Sequence, residues 1–110
     1  MAKERRERVI TSSGNVFADL KLPDAAELDT KLKLGATICN IVKWRGLSQA
    51  DVAGLLGINQ PKVSALLHFK LEGFSAERLI RFLVALDQDV EIVIKHRPRN
   101  RRARVAVNAA

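Results

Sequence analysis

Four side chains between residues 60 and 65 have the chemistry to recognise DNA bases. Gln60 can make a bidentate contact to adenine, and Lys62 can donate to guanine or to a phosphate. Ser64 can hydrogen-bond to guanine or to a phosphate as well, and Ala65 can contact the thymine methyl group. A helix that enters the major groove presents such a short stretch to base edges together. The alternative is that these exposed Lys and Ser side chains are merely solvated.

Further polar residues around this stretch are suited to phosphate. Gln49 opens the preceding helix, where its side chain and the helix amides can bind a phosphate. Lys70 can add a phosphate contact, and His68 is either a phosphate neighbour or a solvated end residue. The predicted DNA-binding residues are Ser48, Gln49, Asn59, Gln60, Lys62, Ser64, Ala65, His68 and Lys70.

Two short, tightly joined helices must position these side chains. Ser48 can cap the first helix by accepting from the Asp51 amide, and Gly57 supplies the positive φ that ends it. Asn59 caps the second helix, with only Ile58 in between, so the two helices cross steeply. Pro61 lies in the first turn, where its missing N–H costs nothing.

The interior positions agree with a helix-turn-helix. Ala53 is small enough for the second helix to approach closely, while Ile58, Val63 and Leu66 fill the junction. Val52, Leu55 and Leu56 are also predicted to face inward. Any capped helix pair in a small bundle can show part of this pattern by chance, but the combined spacing favours DNA binding.

Two longer helices flank the pair. One starts at Leu22-Pro23-Asp24 and ends at Gly46, and the other is capped by Ser75. The first has apolar residues three or four apart, which predicts one buried face: Leu28, Leu32, Ala36, Cys39 and Val42.

A β-branched run at 90–95 predicts one C-terminal strand. We expect no partner for it within its own chain, so its edge should pair with a second copy, through Val90, Ile92 and Ile94, or be covered by another protein. The alternative is a strand that packs only on its own helices.

Composition and charge narrow the function classes. The chain has 110 residues, a formal charge of +7 and a pI near 10.2, which suits a polyanionic partner. Five arginines between residues 97 and 104 form a basic tail, predicted to be disordered, that enters a minor groove, coats phosphates or only solubilises the end. We divide the chain into an arm (1–20), a DNA-binding domain (21–87), a dimerisation strand (88–96) and this tail (97–110).

Other classes of function are disfavoured. The single cysteine, Cys39, allows no intramolecular disulfide, and His68 and His96 have no partners at catalytic or metal-binding spacing, so we expect no enzyme, cofactor or metal. No run is apolar enough to span a membrane, and the N-terminus lacks the apolar core of a secretory signal. We therefore expect a cytoplasmic, nucleoid-associated protein.

Residues 46–67 resemble the Xre family, which includes the Cro and phage-repressor regulators. Further similarity to the small HigA-like antitoxin branch lies at Ser13–Leu20, Leu22–Ala25, Gly73–Leu79 and Asp89–Ile94, so the resemblance covers roughly residues 12–98. It implies a five-helix, lambda-repressor-like domain, two-fold dimers and repression of the protein's own operon. It also implies a RelE/HigB-type toxin partner, an mRNA-cleaving ribonuclease. At Lys62, the family implies no fixed base-reading role.

The expected fold is therefore an all-α, five-helix, lambda-repressor-like domain with a single C-terminal dimerisation strand. The expected function is that of a sequence-specific, dimeric repressor that binds a palindromic operator in double-stranded DNA and acts as the antitoxin of a toxin-antitoxin operon. The alternative is a stand-alone Xre-family regulator with no toxin. An RNA-binding role is supported only by the arginine tail, and the lack of exposed aromatics for base stacking disfavours it.

Overall fold

The computed structural model describes residues 7–11 and 24–109. Its elements, in chain order, are strand β1 (Glu7–Thr11), helices α1 (Asp24–Trp44), α2 (Gln49–Leu56), α3 (Gln60–Leu67) and α4 (Ala76–Ala85), and strand β2 (Glu91–Lys95). The described ranges therefore hold four helices rather than the five expected. The predicted similarity at residues 13–20 lies outside the described residues. None of the described helices is both long enough and apolar enough to cross a bilayer.

One apolar core joins all four helices. Its fully buried side chains include Ile38 from α1, Val52 from α2, Leu66 from α3 and Leu79 from α4. Burying each such side chain stabilises the fold by about 1.5–3 kcal/mol before entropy is considered. The Arg45 guanidinium, just after α1, donates to the Leu86 carbonyl oxygen at 3.1 Å and so ties the ends of α1 and α4 together.

The buried face of α1 differs from the predicted one. Leu28 is 53% exposed and Leu32 is 40% exposed, whereas Thr30, Leu34 and Ile38 are buried. Thr30 can be buried because its hydroxyl donates to the Ala26 carbonyl oxygen, four residues earlier, at 3.0 Å. The prediction that Leu28 and Leu32 face the core is therefore wrong. The predicted face is correct at Cys39 and Val42.

The two strands form an antiparallel two-stranded ribbon, which we call the β-ribbon. Its register pairs Glu7 with Lys95, Val9 with Val93 and Thr11 with Glu91. The prediction of a single strand with no partner in its own chain is therefore wrong. The N-terminal segment satisfies one edge of β2, and β2 pairs with no other described segment.

Residues 96–109, beyond the β-ribbon, form no regular helix or strand. They are nevertheless attached to the body of the protein, because Val107 is partly buried and packs against the helical core. Val105 is also half-buried, whereas residues 96–104 are exposed. The arginine-rich segment therefore runs between two held points, β2 and Val107.

Candidate nucleic-acid interface

The N-terminus of α2 is fixed by a reciprocal pair of hydrogen bonds. The Asp51 amide donates to the Ser48 hydroxyl oxygen, and the Ser48 amide donates to Asp51 Oδ2, both at 3.0 Å. The bond from the Ser48 amide, followed by the one involving its side chain, lowers the pKa of the Asp51 carboxyl. The exposed Gln49 follows at the first helical position, where the helix dipole favours an anion. The predicted cap at Ser48 is thus confirmed, and the bond from the Ser48 amide to the Asp51 side chain completes a capping box.

The turn between α2 and α3 depends on Gly57. Its φ is 67°, in the left-handed region, and its N–H donates to the Ala53 carbonyl oxygen at 2.9 Å. The Ile58 amide donates to the same oxygen at 3.2 Å, and the half-buried Ile58 side chain packs against the core. A turn this short fixes the direction of α3 relative to α2.

Helix α3 combines a buried face with an exposed N-terminal turn. Val63 and Leu66 are fully buried, at 0% exposure, whereas Gln60 and Lys62 are exposed. The Asn59 side-chain oxygen caps the helix by accepting from the Lys62 amide at 2.9 Å. The N-terminal turn of α3 therefore presents polar groups outward on a firmly packed base.

The two capping side chains retain donors for a ligand. The Ser48 hydroxyl oxygen and the Asn59 amide oxygen accept from their own helices. The Ser48 O–H and the Asn59 side-chain NH₂ can still donate outward. Both residues are exposed. Capping and phosphate binding by these predicted residues are therefore compatible.

The C-terminal half of α3 is less available than its start. Ser64 is half-buried, and Ala65 is half-buried with its side chain against the core. His68 Nδ1 lies 2.7 Å from the Ser64 carbonyl oxygen and 3.5 Å from the Ser64 hydroxyl. Because a carbonyl only accepts, this geometry requires a proton on Nδ1.

Helix α3 ends without a glycine. Phe69 adopts φ 60°, and the Lys70 amide donates back to the Ala65 carbonyl oxygen at 2.9 Å, in the pattern of a Schellman motif. This closure places the exposed Lys70 directly after Phe69, which is 45% exposed. Trp44, at the end of α1, is 87% exposed, so the expectation that the chain lacks exposed aromatic side chains is wrong. The nine predicted DNA-binding residues thus lie on α2, α3 and their ends, and their contacts with DNA remain predictions.

The predicted dimerisation residues belong to a different part of the molecule. Val90 precedes β2 and is half-buried against the core, Ile92 is half-buried, and Ile94 is 46% exposed. Sequence reasoning missed the β1 partner of this strand. The β-branched Val9, Ile10 and Thr11 were its available signal, because such residues are enriched in strands.

Other chemistry finds little support in the described residues. They contain no cluster of three or more His, Cys, Asp or Glu suited to a metal ion. Cys39 is buried, its thiol lies 3.9 Å from the Leu67 carbonyl oxygen, and burial raises its pKa although Lys43 acts in the opposite direction. A thiol in this state is a packing group rather than a nucleophile.

Comparisons with known proteins agree with this geometry. Residues 16–95 match a family model described as a helix-turn-helix domain. A solved structure named as an XRE family transcriptional regulator is 58% identical, with a TM-score of 0.77, and the match covers 80% of this chain and 100% of that chain. No curated protein matches. Together, the family model and the solved relative show that this chain belongs to the XRE family of helix-turn-helix transcriptional regulators.

Proposed function

We propose that the chain is a sequence-specific DNA-binding repressor that inserts α3 into the major groove. The observation that carries the proposal is the division of α3 into a fully buried face, with Val63 and Leu66, and an exposed N-terminal turn, with Gln60 and Lys62. Recognition helices of this motif contact base edges with their N-terminal residues. No catalytic role is assigned to the chain.

The proposal gives different tasks to different residues. Gln60 reads a base, because an exposed amide can make a bidentate contact to adenine. Gln49, at the start of α2, holds a phosphate and sets the register on the duplex. Lys62 contacts a base or a phosphate. Ala65 is half-buried, so only its exposed part can contact a thymine methyl group.

The test compares three glutamine-to-alanine variants at fixed salt on DNA from upstream of the gene. Gln60→Ala should lower affinity for the protected site by about 1–3 kcal/mol, with little loss on unrelated DNA. Gln49→Ala should weaken binding to every sequence alike. Gln88→Ala, in the turn after α4, should bind as the native protein does. Footprinting and gel-shift titrations supply both measurements. Equal effects of Gln60→Ala on all sequences would contradict base reading.

We also propose that the repressor is a homodimer and that β2 joins the two copies. β1 occupies one edge of β2, and antiparallel pairing of the other edge with a second copy would make a four-stranded sheet. Two-fold symmetry then places the two copies of α3 about 34 Å apart, one turn of DNA, and calls for a palindromic operator.

Sedimentation tests the dimer. Ile92→Pro removes a backbone N–H and should disrupt strand pairing, leaving a monomer, whereas the matched control Ile92→Thr retains the N–H and should remain a dimer. A dimeric Ile92→Pro variant would contradict pairing through β2.

Two versions of this regulator differ in their protein partner. The resemblance to the HigA-like branch supports an antitoxin that neutralises a RelE/HigB-type toxin, and the alternative is a stand-alone regulator. Co-expression with the product of a short neighbouring gene separates them. A stable complex that stops mRNA cleavage supports the antitoxin, whereas free, active toxin contradicts it.

A further inference from the structure

The arginine-rich segment is a closed loop rather than a free tail. It leaves the β-ribbon after Lys95 and returns to the body of the protein at Val107, which packs against the helical core. Residues 97–104, which we call the arginine loop, are all exposed between these two points. Because both ends are held, folding already restricts the loop, and the loop loses less conformational entropy when it binds a ligand.

The arginines of this loop divide into two sets. Arg97 donates to the carbonyl oxygens of Pro98, at 3.4 Å, and Arg101, at 3.1 Å, while Arg101 donates to that of Arg102 at 3.1 Å. These bonds shape the loop from within. Arg99, Arg102 and Arg104 make no side-chain hydrogen bond or ion pair with the described residues, so their guanidinium groups are available to a ligand.

The loop has no acidic neighbours in sequence to neutralise it. After Glu91 the chain contains no Asp or Glu. The ion pairs Lys33–Asp29 and Arg81–Glu77 lie elsewhere, on α1 and α4. A run of unneutralised guanidinium groups is suited to phosphate oxygens.

We infer that the arginine loop is a second DNA-binding surface that contacts the phosphate backbone beyond the bases read by α3. This inference rests on the proposed function, because a duplex bound by α3 would present its flanking phosphates to the loop at a raised local concentration. Single-stranded RNA is a poorer match, since residues 97–104 contain no Phe, Trp or Tyr on which bases could stack.

The dimensions of the protein set the DNA lengths for the test. The longest extent of the protein is 49 Å. A duplex extended by about 15 base pairs on each side of the footprint covers that reach at ~3.4 Å per base pair. The comparison is between this long duplex and one that holds only the footprint, with affinity measured as a function of salt concentration.

Arg99→Gln/Arg102→Gln should lower the salt slope on the long duplex by roughly 0.9 per lost phosphate contact, which is about 1.8 for each loop and about 3.6 for the proposed dimer. Between 50 and 200 mM salt, the affinity of the dimer would then fall about a hundredfold less than for the native protein. The short duplex should show no change. Lys33→Gln/Arg81→Gln removes the same charge from elsewhere and should leave both slopes as they are. Equal losses in the control, equal losses on both duplexes, or no loss at all would overturn the inference.

A second variant tests the anchor without changing charge. Val107→Ser keeps every arginine but removes the apolar contact with the core. It should bind the long duplex several-fold more weakly, with an unchanged slope and native helical circular dichroism. If Val107→Ser binds the long duplex with native affinity, the inference that the anchored loop binds DNA is overturned. If Arg99→Gln/Arg102→Gln weakens binding to single-stranded RNA but not to DNA, the loop binds RNA instead. The proposed function fails separately, if the native protein prefers no sequence.

Discussion

The helical part and the β-ribbon differ in how they use their apolar side chains. In the helices, Leu66 and Leu79 are fully enclosed. In the β-ribbon, Val93 is 43% exposed and Ile94 is 46% exposed. Since free energy from apolar burial scales with the area removed from water, the helices supply most of the stability. Val93 and Ile94 are consecutive in a strand, so the β-ribbon leaves apolar side chains exposed on both of its faces. Most of the stability and this exposed apolar surface therefore lie in separate parts of the chain.

Two alanine substitutions test this difference between the helices and the β-ribbon, and they have the largest expected effect. Leu66→Ala should lower the free energy of unfolding by about 2–5 kcal/mol, because it leaves a cavity beneath α3. Ile94→Ala should cost about 1 kcal/mol or less in the monomer, since nearly half of the side chain is already in water. Urea titrations at protein concentrations low enough to keep the chain monomeric measure both free energies of unfolding. Similar losses of unfolding free energy at the two sites would contradict the conclusion that the helices supply most of the stability.

A second pair of substitutions sharpens the comparison within the helical part. Gly57→Ala places a Cβ at φ 67° and should cost about 1–2 kcal/mol of stability, although no atom lies close enough to clash. Gly54→Ala is the matched control. It lies inside α2, also in open space, and should stabilise the protein by about 0.5–1 kcal/mol. Thermal melts should shift in opposite directions. A shift in the same direction would show that the turn does not depend on the glycine conformation.

The smallest expected effect is at the capping box of α2. The pKa of Asp51 is lowered by its bonds to Ser48, so the stabilisation is complete above the ordinary aspartate pKa of about 3.9 and is lost as the pH falls through the lowered value. Asp51→Asn keeps an oxygen acceptor and should lose less stability than the native protein between pH 7 and pH 3. Asp89→Asn, at a carboxylate without a hydrogen bond, is the control, and urea midpoints at the two pH values provide the measurement. An unchanged acid dependence in Asp51→Asn would contradict a role for its charge.

Local chemistry made the helix-turn-helix predictable. The caps at Ser48, Asn59 and Ser75 each accept from an amide three residues later, so the signal and the structure lie within one turn. The interior positions Val63 and Leu66 follow from helical periodicity. The exposure of Gln60 and Lys62 follows because they belong to the first turn of α3, beside rather than on the buried face of Val63 and Leu66.

Features that depend on distant residues were not predictable in this way. The pairing of Val9 with Val93 joins opposite ends of the sequence, and no local pattern encodes such a register. The side of α1 that is buried depends on α4, so a periodicity that included Leu28 and Leu32 selected the wrong face of its first turns. Leu55 is likewise 43% exposed, although it was expected to face inward. The anchor at Val107 escaped notice because a single valine after a charged run carries no pattern.

The β-ribbon also has a consequence for the order in which the chain folds. Pairing Glu7 with Lys95 closes a loop that contains every helix. Closing so long a loop in an unfolded chain costs conformational entropy. The few β-ribbon contacts are too weak to offset that cost before the helices have packed. Once the helices have packed, they shorten the distance between the two strands, and strand pairing then costs little further conformational entropy. The strands should therefore join after the core, so that a newly made chain can assemble its helix-turn-helix before the β-ribbon exists.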